Sequence, residues 1–274
     1  MLSDYPFIEV MNDVKNHSQD ELERAKSLKL IYQCIDHTSL NTADNEQSIT
    51  NFCHGTLAMC RDQRCIGSVA SVCVYPLHVE LAHNILKDSG IKVASVAGSF
   101  PSGQLPKELK LREVSYAVTK GADEVDYVIN RGFFLQGRED KVYDEIKEAK
   151  TICGDRLLKV IIECCDLGSS ENIYRASTIA LEAGADFVKT STGKGSGGAT
   201  AENVWAMLSA VRDFGKINKN SKGFKAAGGI ASIDDAILYY RMARQIVFNN
   251  GISNQNFRIG TSRLTTTIFK LLTL

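Results

Sequence analysis

Two lysines occupy places where lysine is seldom found. Gly184-Ala185-Asp186-Phe187-Val188-Lys189 reads as a β-strand carrying a lysine near its end, and it opens into Thr190-Ser191-Thr192-Gly193-Lys194. Lys225 has the matching place in Gly223-Phe224-Lys225-Ala226-Ala227-Gly228-Gly229. Burying an unpaired ammonium is costly, so strand interiors rarely spend a position on one. Two such lysines, each just upstream of glycines, point to an amine held for covalent chemistry beside a cradle for an anion. A lysine attacks a carbonyl only as the free amine, so its pKa must fall from about 10.4 toward neutrality, a change worth about 4 kcal/mol. A second ammonium about 4 Å away supplies roughly that much at an effective dielectric near 20. The alternative is that both lysines lie exposed at strand ends and solvate a rim.

A carboxylate tips that balance. Residues 117–126 parallel residues 180–189: each reads as a helix ending at glycine (Gly121, Gly184), a short link, then a strand. Asp126 and Lys189 therefore hold equivalent positions on strands one strand apart. If the sheet closes, alternate strands contribute to one interior layer, which brings carboxylate and amine to one height. The strand between them offers Lys159, Ile161 and Glu163 at one parity. Asp126 is expected to serve one lysine only, as proton-transfer group or as counter-ion to the lysine that stays charged, with Lys225 about half a step away.

The loops after the last three strands carry the anion features: Thr192-Gly193-Lys194, then Gly228-Gly229-Ile230, then Gly260-Thr261-Ser262. Glycines let the backbone approach phosphate oxygens, hydroxyls donate, and Lys194 brings charge. The stretch from Gly193 to Gly198 formally matches a dinucleotide fingerprint. It lacks the acidic residue at the end of the following strand, since Asp213 falls at the end of a helix.

The elements that must position these groups alternate along the chain. Strand-like runs fall at 31–36, 68–75, 92–98, 124–130, 158–163, 187–190, 223–227 and 257–260, with helical spacing between them. Val204, Leu208 and Val211 share one helical face, as do Val142, Ile146 and Ala149, and Ile173, Ala176 and Ile179. Ser232 followed by Asp235 is a helix start. Eight strand–helix units predict an α/β fold, a TIM (β/α)8 barrel over residues 29–274, with an open doubly wound sheet as the rival. Residues 1–28 form an extension outside that count. Its helical stretch at 20–27 would plug the barrel bottom or cover a partner subunit.

Bulk properties narrow the function class. Of 274 residues, 44% are hydrophobic, and Lys+Arg and Asp+Glu balance at 32 each, so no net field favours nucleic acid or a membrane surface. No apolar run is long enough to span a bilayer, and the N-terminus lacks a secretory pattern, which places the protein in the cytoplasm. The eight cysteines contain no C-x-x-C pair and read as small hydrophobes, the vicinal Cys164-Cys165 included. His17, His37, His54, His78 and His83 show no metal-ligand spacing, so no metal is expected.

Taken together, Asp36-His-Thr-Ser-Leu-Asn41, Val72-Cys-Val-Tyr-Pro76, Gly121-Ala-Asp-Glu-Val-Asp126, Leu158-Lys-Val-Ile-Ile-Glu163, Lys189-Thr-Ser-Thr-Gly-Lys194 and Gly223-Phe-Lys-Ala-Ala-Gly-Gly229 resemble the deoxyribose-phosphate aldolases over nearly the whole barrel. The resemblance implies reversible cleavage of 2-deoxy-D-ribose 5-phosphate to acetaldehyde and D-glyceraldehyde 3-phosphate, in carbohydrate and deoxyribonucleotide catabolism, without a cofactor. It implies Lys189 as the Schiff-base lysine, Lys225 as its perturbing neighbour and Asp126 as the proton-transfer carboxylate. Asp36, Cys73, Lys159 and Thr192 match pocket positions, while Gly193, Lys194, Gly228, Gly229, Gly260 and Ser262 match the phosphate side. Relatives are often dimers, so a homodimer is expected. Ile230-Ala231 stands where some relatives carry an arginine, and Leu271-Leu-Thr-Leu274 lacks a terminal tyrosine. From the residues alone, a sugar-phosphate isomerase or epimerase and a non-catalytic phosphate-binding module stay open.

Overall fold

Eight parallel strands close on themselves in chain order in the computed structural model of this chain, each paired with its sequence neighbour and the last with the first. The structure describes residues 2, 6–16, 21–61, 66–219, 222–249 and 251–273. His17, Asp20 and Cys65 lie outside the described residues. The strands are β1 Ile35–Thr38, β2 Ser71–Val74, β3 Lys92–Ala97, β4 Glu124–Val128, β5 Leu157–Ile161, β6 Phe187–Lys189, β7 Gly223–Ala227 and β8 Phe257–Thr261. The helices are α1 Phe7–Asn16, α2 Glu21–Gln33, α3 Glu46–Arg61, α4 Val79–Leu86, α5 Lys107–Thr119, α6 Arg131–Leu135, α7 Glu139–Cys153, α8 Ser170–Glu182, α9 Ala201–Asn218, α10 Ile233–Ile246 and α11 Leu264–Thr273. Closure rules out the open sheet.

Each strand splits its residues between two environments. Phe224, Phe257, Val188, Val160 and Val125 join the apolar layer under the helices. Their neighbours at the other parity, among them Asp126, Lys159, Lys189, Lys225 and Arg258, face the barrel axis and pair there. Period-two alternation thus sends hydrocarbon outward to the helices and charge inward. The faces expected for α7, α8 and α9 are the buried ones. Ser232 starts α10 as expected: its side chain accepts from the Asp235 N–H at 3.0 Å.

The chain start differs from the sequence expectation. Residues 31–33, read as strand, finish α2 instead. Leu28, Ile31 and Tyr32 recur at helical spacing and are all buried, and β1 begins only after Cys34. α2 packs against α10 and α11, and α1 lies on α10 with Phe7 against Trp205 of α9 at 5.7 Å between ring centroids. This N-terminal part braces the helical wall.

Candidate active site

Three lysines converge on one carboxylate inside the barrel. Lys189 Nζ and Lys225 Nζ each donate to Asp126 Oδ2 at 2.7 Å, and Lys159 Nζ donates to Asp126 Oδ1 at 2.9 Å. The strand register explains the meeting. Lys189 is the direct partner of Lys225, and Asp126 of Lys159, so two pairs on four consecutive strands project into the same interior. The expectation that Asp126 could serve only one of Lys189 and Lys225 is therefore wrong. Lysine stems are long enough for two ammonium groups to reach one oxygen, which puts the two nitrogens no more than twice 2.7 Å apart. Nor are these lysines rim residues, since Lys189 is 3% exposed and Lys225 fully buried.

Below them Asp36 accepts from Lys225 and from Arg258 Nη1, the latter at 2.6 Å. Arg258 also grips Glu124 through Nη2 at 2.8 Å and Nη1 at 3.1 Å, and Lys159 lies 2.6 Å from the same carboxylate. The Phe187 ring, 5.7 Å from the Arg258 guanidinium, closes the floor. Gly223 makes room for that ring, since a Cβ there would fall 2.3 Å from Phe187 Cε1. Cys73 sits beside the lysines with its thiol pushed up to about 11 by burial and by Asp126, so it is neutral. Leu40, Ala94 and Val96 supply an apolar wall next to it.

Charge state divides the three lysines. Burial pushes the Lys189 ammonium below the ordinary lysine range, and Lys225 acts in the same direction, against Asp126. Desolvation is thus the larger cause, where sequence reasoning gave that role to the neighbouring cation. Burial also works against charge on Lys225, but Asp126 and Asp36 outweigh it and hold that pKa above the ordinary range. Lys159 is raised likewise against burial by Asp126, Glu124 and Asp36. Asp126 stays well below the usual carboxylate range, because Lys159, Lys189 and Lys225 together overcome its burial. The site therefore holds two firm cations, one firm anion and one amine inclined to lose its proton.

Above this layer a cavity of about 410 Å³ opens at the carboxyl ends of the strands. Lys189, Thr192, Gly193, Lys194, Gly228, Gly229, Gly260 and Ser262 line it, while Lys225, Asp126, Asp36, Cys73 and Lys159 lie buried beneath. Among the described residues no Asp or Glu lines the cavity. Glu163, expected at inward parity on β5, instead follows the strand with a left-handed backbone (φ +55°). Its carboxylate accepts from the Thr192 hydroxyl and from the Thr192 N–H at 3.2 Å, and lies 3.6 Å from Arg131 Nη1. Thr192 in turn accepts from the Lys194 N–H at 3.0 Å, which ties the lysine-bearing loop to the loop after β5. Gly228 adopts φ +87°, and a Cβ there would meet Gly198 Cα at 2.9 Å and Ser191 Cβ at 3.0 Å. Only glycine fits that crossing of two loops.

The fold, the buried amine and the anion-ready mouth point one way, and comparison with known proteins decides the family. Residues 30–251 match the profile described as "DeoC/LacD family aldolase". The chain belongs to that family. It is a lyase that acts on carbon–carbon bonds. It is 39% identical to deoxyribose-phosphate aldolase of Bos taurus over 254 residues, 89% of this chain and 80% of that one. The Homo sapiens deoxyribose-phosphate aldolase is also 39% identical, over 240 residues covering 84% and 76%. Among solved structures, that titled "Unique tetrameric structure of deoxyribose phosphate aldolase from Aeropyrum pernix" superposes with a TM-score of 0.71 at 25% identity, over 93% of this chain and 99% of that one.

Sequence reasoning missed several residues of this aldolase. Arg263 lines the cavity just past Ser262, with no ion pair among the described residues. It brings a cation to the side of the mouth where Ile230-Ala231 brings none. Thr38, the last residue of β1, and Asn41 in the loop after it line the neighbouring side, since β1 pairs with β8. The floor pair Glu124 and Arg258 was legible as i−2 to Asp126 and i−2 to Gly260, positions that share a strand face. Gly260 lines the cavity as expected, and it also leaves space for Lys225, whose Cε would lie 3.0 Å from a Cβ at that position.

Proposed function

We propose that this aldolase cleaves 2-deoxy-D-ribose 5-phosphate reversibly to D-glyceraldehyde 3-phosphate and acetaldehyde through a Schiff base on Lys189. The observation that carries the reading is that Lys189, alone of the three interior lysines, both lines the open cavity and has its pKa pushed down. The neutral Nζ adds to the C1 aldehyde carbon of the open-chain sugar. Loss of water from the carbinolamine gives an iminium ion. A base removes the proton of the C3 hydroxyl, the C2–C3 bond breaks, and its electron pair becomes the C1–C2 double bond of the enamine as the iminium nitrogen takes back an electron pair and loses its positive charge. Glyceraldehyde 3-phosphate departs, C2 is protonated, and water returns Lys189 with acetaldehyde. Asp126, bonded to both Lys189 and Lys225, is placed to move the protons, and Lys225 stays charged to return them.

The phosphate belongs at the mouth, among the Gly193, Gly228 and Gly229 backbones, Ser262, Lys194 and Arg263, where no carboxylate opposes it. The relatives' names, the cavity's cationic lining and the buried amine together support this substrate. The same reading places the enzyme in deoxyribonucleotide and carbohydrate catabolism, in the cytoplasm, as a homodimer. The Aeropyrum pernix relative's title calls that one tetrameric.

Borohydride reduction in the presence of acetaldehyde, followed by peptide mass spectrometry, tests the reaction class. A two-carbon ethyl adduct on Lys189 is expected. An unmodified Lys189 in enzyme that turns over another sugar phosphate would leave the lysine an electrostatic role, as in an isomerase or epimerase.

A further inference from the structure

The barrel interior beneath the cavity is a buried electrostatic compartment, and its charges can be counted. Lys159, Lys189, Lys225 and Arg258 supply the cations, and Asp36, Glu124 and Asp126 the anions; every one of them is 0–3% exposed. Around Lys189 stand Asp126 and Glu124 from β4, Lys159 from β5, Lys225 from β7, Arg258 from β8 and Asp36 from β1. Cys73 from β2 is a neutral thiol, and Ala94 and Val96 of β3 do not titrate, while Lys92 at the start of that strand is exposed and pairs with Asp123 at 3.6 Å. Full ionisation leaves one positive charge without a counter-ion in a buried interior that meets water only at the cavity beside Lys189, and an unpaired buried charge is unfavourable.

One cation must therefore give up its proton. Arg258 cannot, because a guanidinium keeps its proton in proteins. Lys159 has three carboxylates within 3.5 Å: Glu124 at 2.6 Å, Asp126 at 2.9 Å and Asp36 at 3.5 Å. Lys225 has two, Asp36 and Asp126. Lys189 has only Asp126, through an oxygen it shares with Lys225. Lys189 is the group that the surplus deprotonates.

We infer that Arg258 and Glu124, neither of which forms an ion pair with Lys189, are positioning residues that keep its amine neutral by fixing the charge count of the interior. Arg258 provides the cation that makes the count uneven. Its two-nitrogen grip on Glu124 and its bond to Asp36 leave Lys225 and Lys159 as the only ammonium groups the remaining carboxylate capacity can hold. The inference rests on Lys189 being the Schiff-base lysine.

The test is a charge swap at a distance, read as the pH dependence of kcat/KM and of borohydride trapping at Lys189. Arg258→Gln removes a cation and lets Lys189 keep its proton, so the acidic limb moves to higher pH. At pH 7, kcat/KM falls by about tenfold, the Coulomb effect of one unit charge roughly 10 Å away at an effective dielectric near 20, and it recovers on raising the pH. Glu124→Gln removes an anion and moves the limb to lower pH. The double variant restores the count and returns the limb to its parental position. Arg258→Lys keeps the count while losing the fork, and it holds the limb in place even if the fold is weakened. Shifts of one sign in both single variants, no return in the double variant, or an Arg258→Lys limb displaced as far as that of Arg258→Gln would overturn the inference. An adduct on Lys189 in the parent enzyme together with any of those results sinks this inference alone, whereas no adduct in the active parent sinks the Schiff-base reading with it.

Discussion

Replacing Arg263 with methionine separates recognition of the phosphate from the chemistry at the amine. Arg263 is exposed and lines the mouth of the cavity, where no carboxylate among the described residues joins the lining. A cation roughly 5 Å from a dianionic phosphate in water-like surroundings contributes between about 1 and 2 kcal/mol, or about tenfold in binding. Cleavage of 2-deoxy-D-ribose 5-phosphate, followed by a coupled assay of glyceraldehyde 3-phosphate, is expected to lose about tenfold in kcat/KM. Unphosphorylated 2-deoxy-D-ribose should change by less than about twofold, because the interior charges are untouched. The penalty should shrink as salt is added, since an exposed charge is screened over about 10 Å at 0.1 M ionic strength. Lys194→Met should behave alike, and the pair should approach the product of the single effects if the two cations act independently. Equal losses on both sugars, or none on the phosphorylated one, would refute the placement of phosphate between Lys194 and Arg263.

Three further outcomes follow from the interior. Lys225→Met removes a cation no more than twice 2.7 Å from Lys189, which lowers the amine-to-ammonium ratio of Lys189 by about a hundredfold at an effective dielectric near 20. Because the protonated form is the inactive one and its pKa rises in this variant, the acidic limb of the kcat/KM profile moves to higher pH; an unmoved limb contradicts the coupling. Asp126→Asn keeps the side-chain shape but cannot carry a proton, so turnover falls by about 10²–10⁴-fold while borohydride still traps acetaldehyde on Lys189. Loss of both together would show that Asp126 builds the site rather than moving protons. Gly223→Ala drives a methyl group to 2.3 Å from the Phe187 ring and should cost about 1–3 kcal/mol, read from the denaturant midpoint. Phe187→Leu in the same chain should restore part of that loss.

The sequence reading and the structure agree most closely where period-two alternation is strong. The Lys189 and Lys225 strands, their glycine-rich exits and the echo that aligned Asp126 with Lys189 carried enough parity to place three charged groups in one interior. Two things escaped it. Parity says which face a residue takes but not how far its side chain reaches, so convergence of three lysines on Asp126 was invisible, as was the larger part that burial plays in the state of Lys189. Residues belonging to two patterns at once were also misread. Ile31 and Tyr32 suit a strand by composition, yet their spacing from Leu28 completes α2. Arg263 follows a serine already given to the phosphate side, and nothing in its own type distinguishes a mouth residue from a helix start.

The barrel is stopped at one end by Phe187, set against Gly223 beside the Arg258–Glu124 pair. Its interior is therefore a blind shaft rather than a tunnel. Under the Schiff-base cleavage proposed above, a blind shaft imposes a queue: the fragment bonded to the amine lies behind the one at the entrance, so the phosphorylated fragment must clear the way before the two-carbon piece can follow. In the synthetic direction the order reverses. The small aldehyde has to be seated first, and a phosphorylated partner arriving early would block the door to the group it needs.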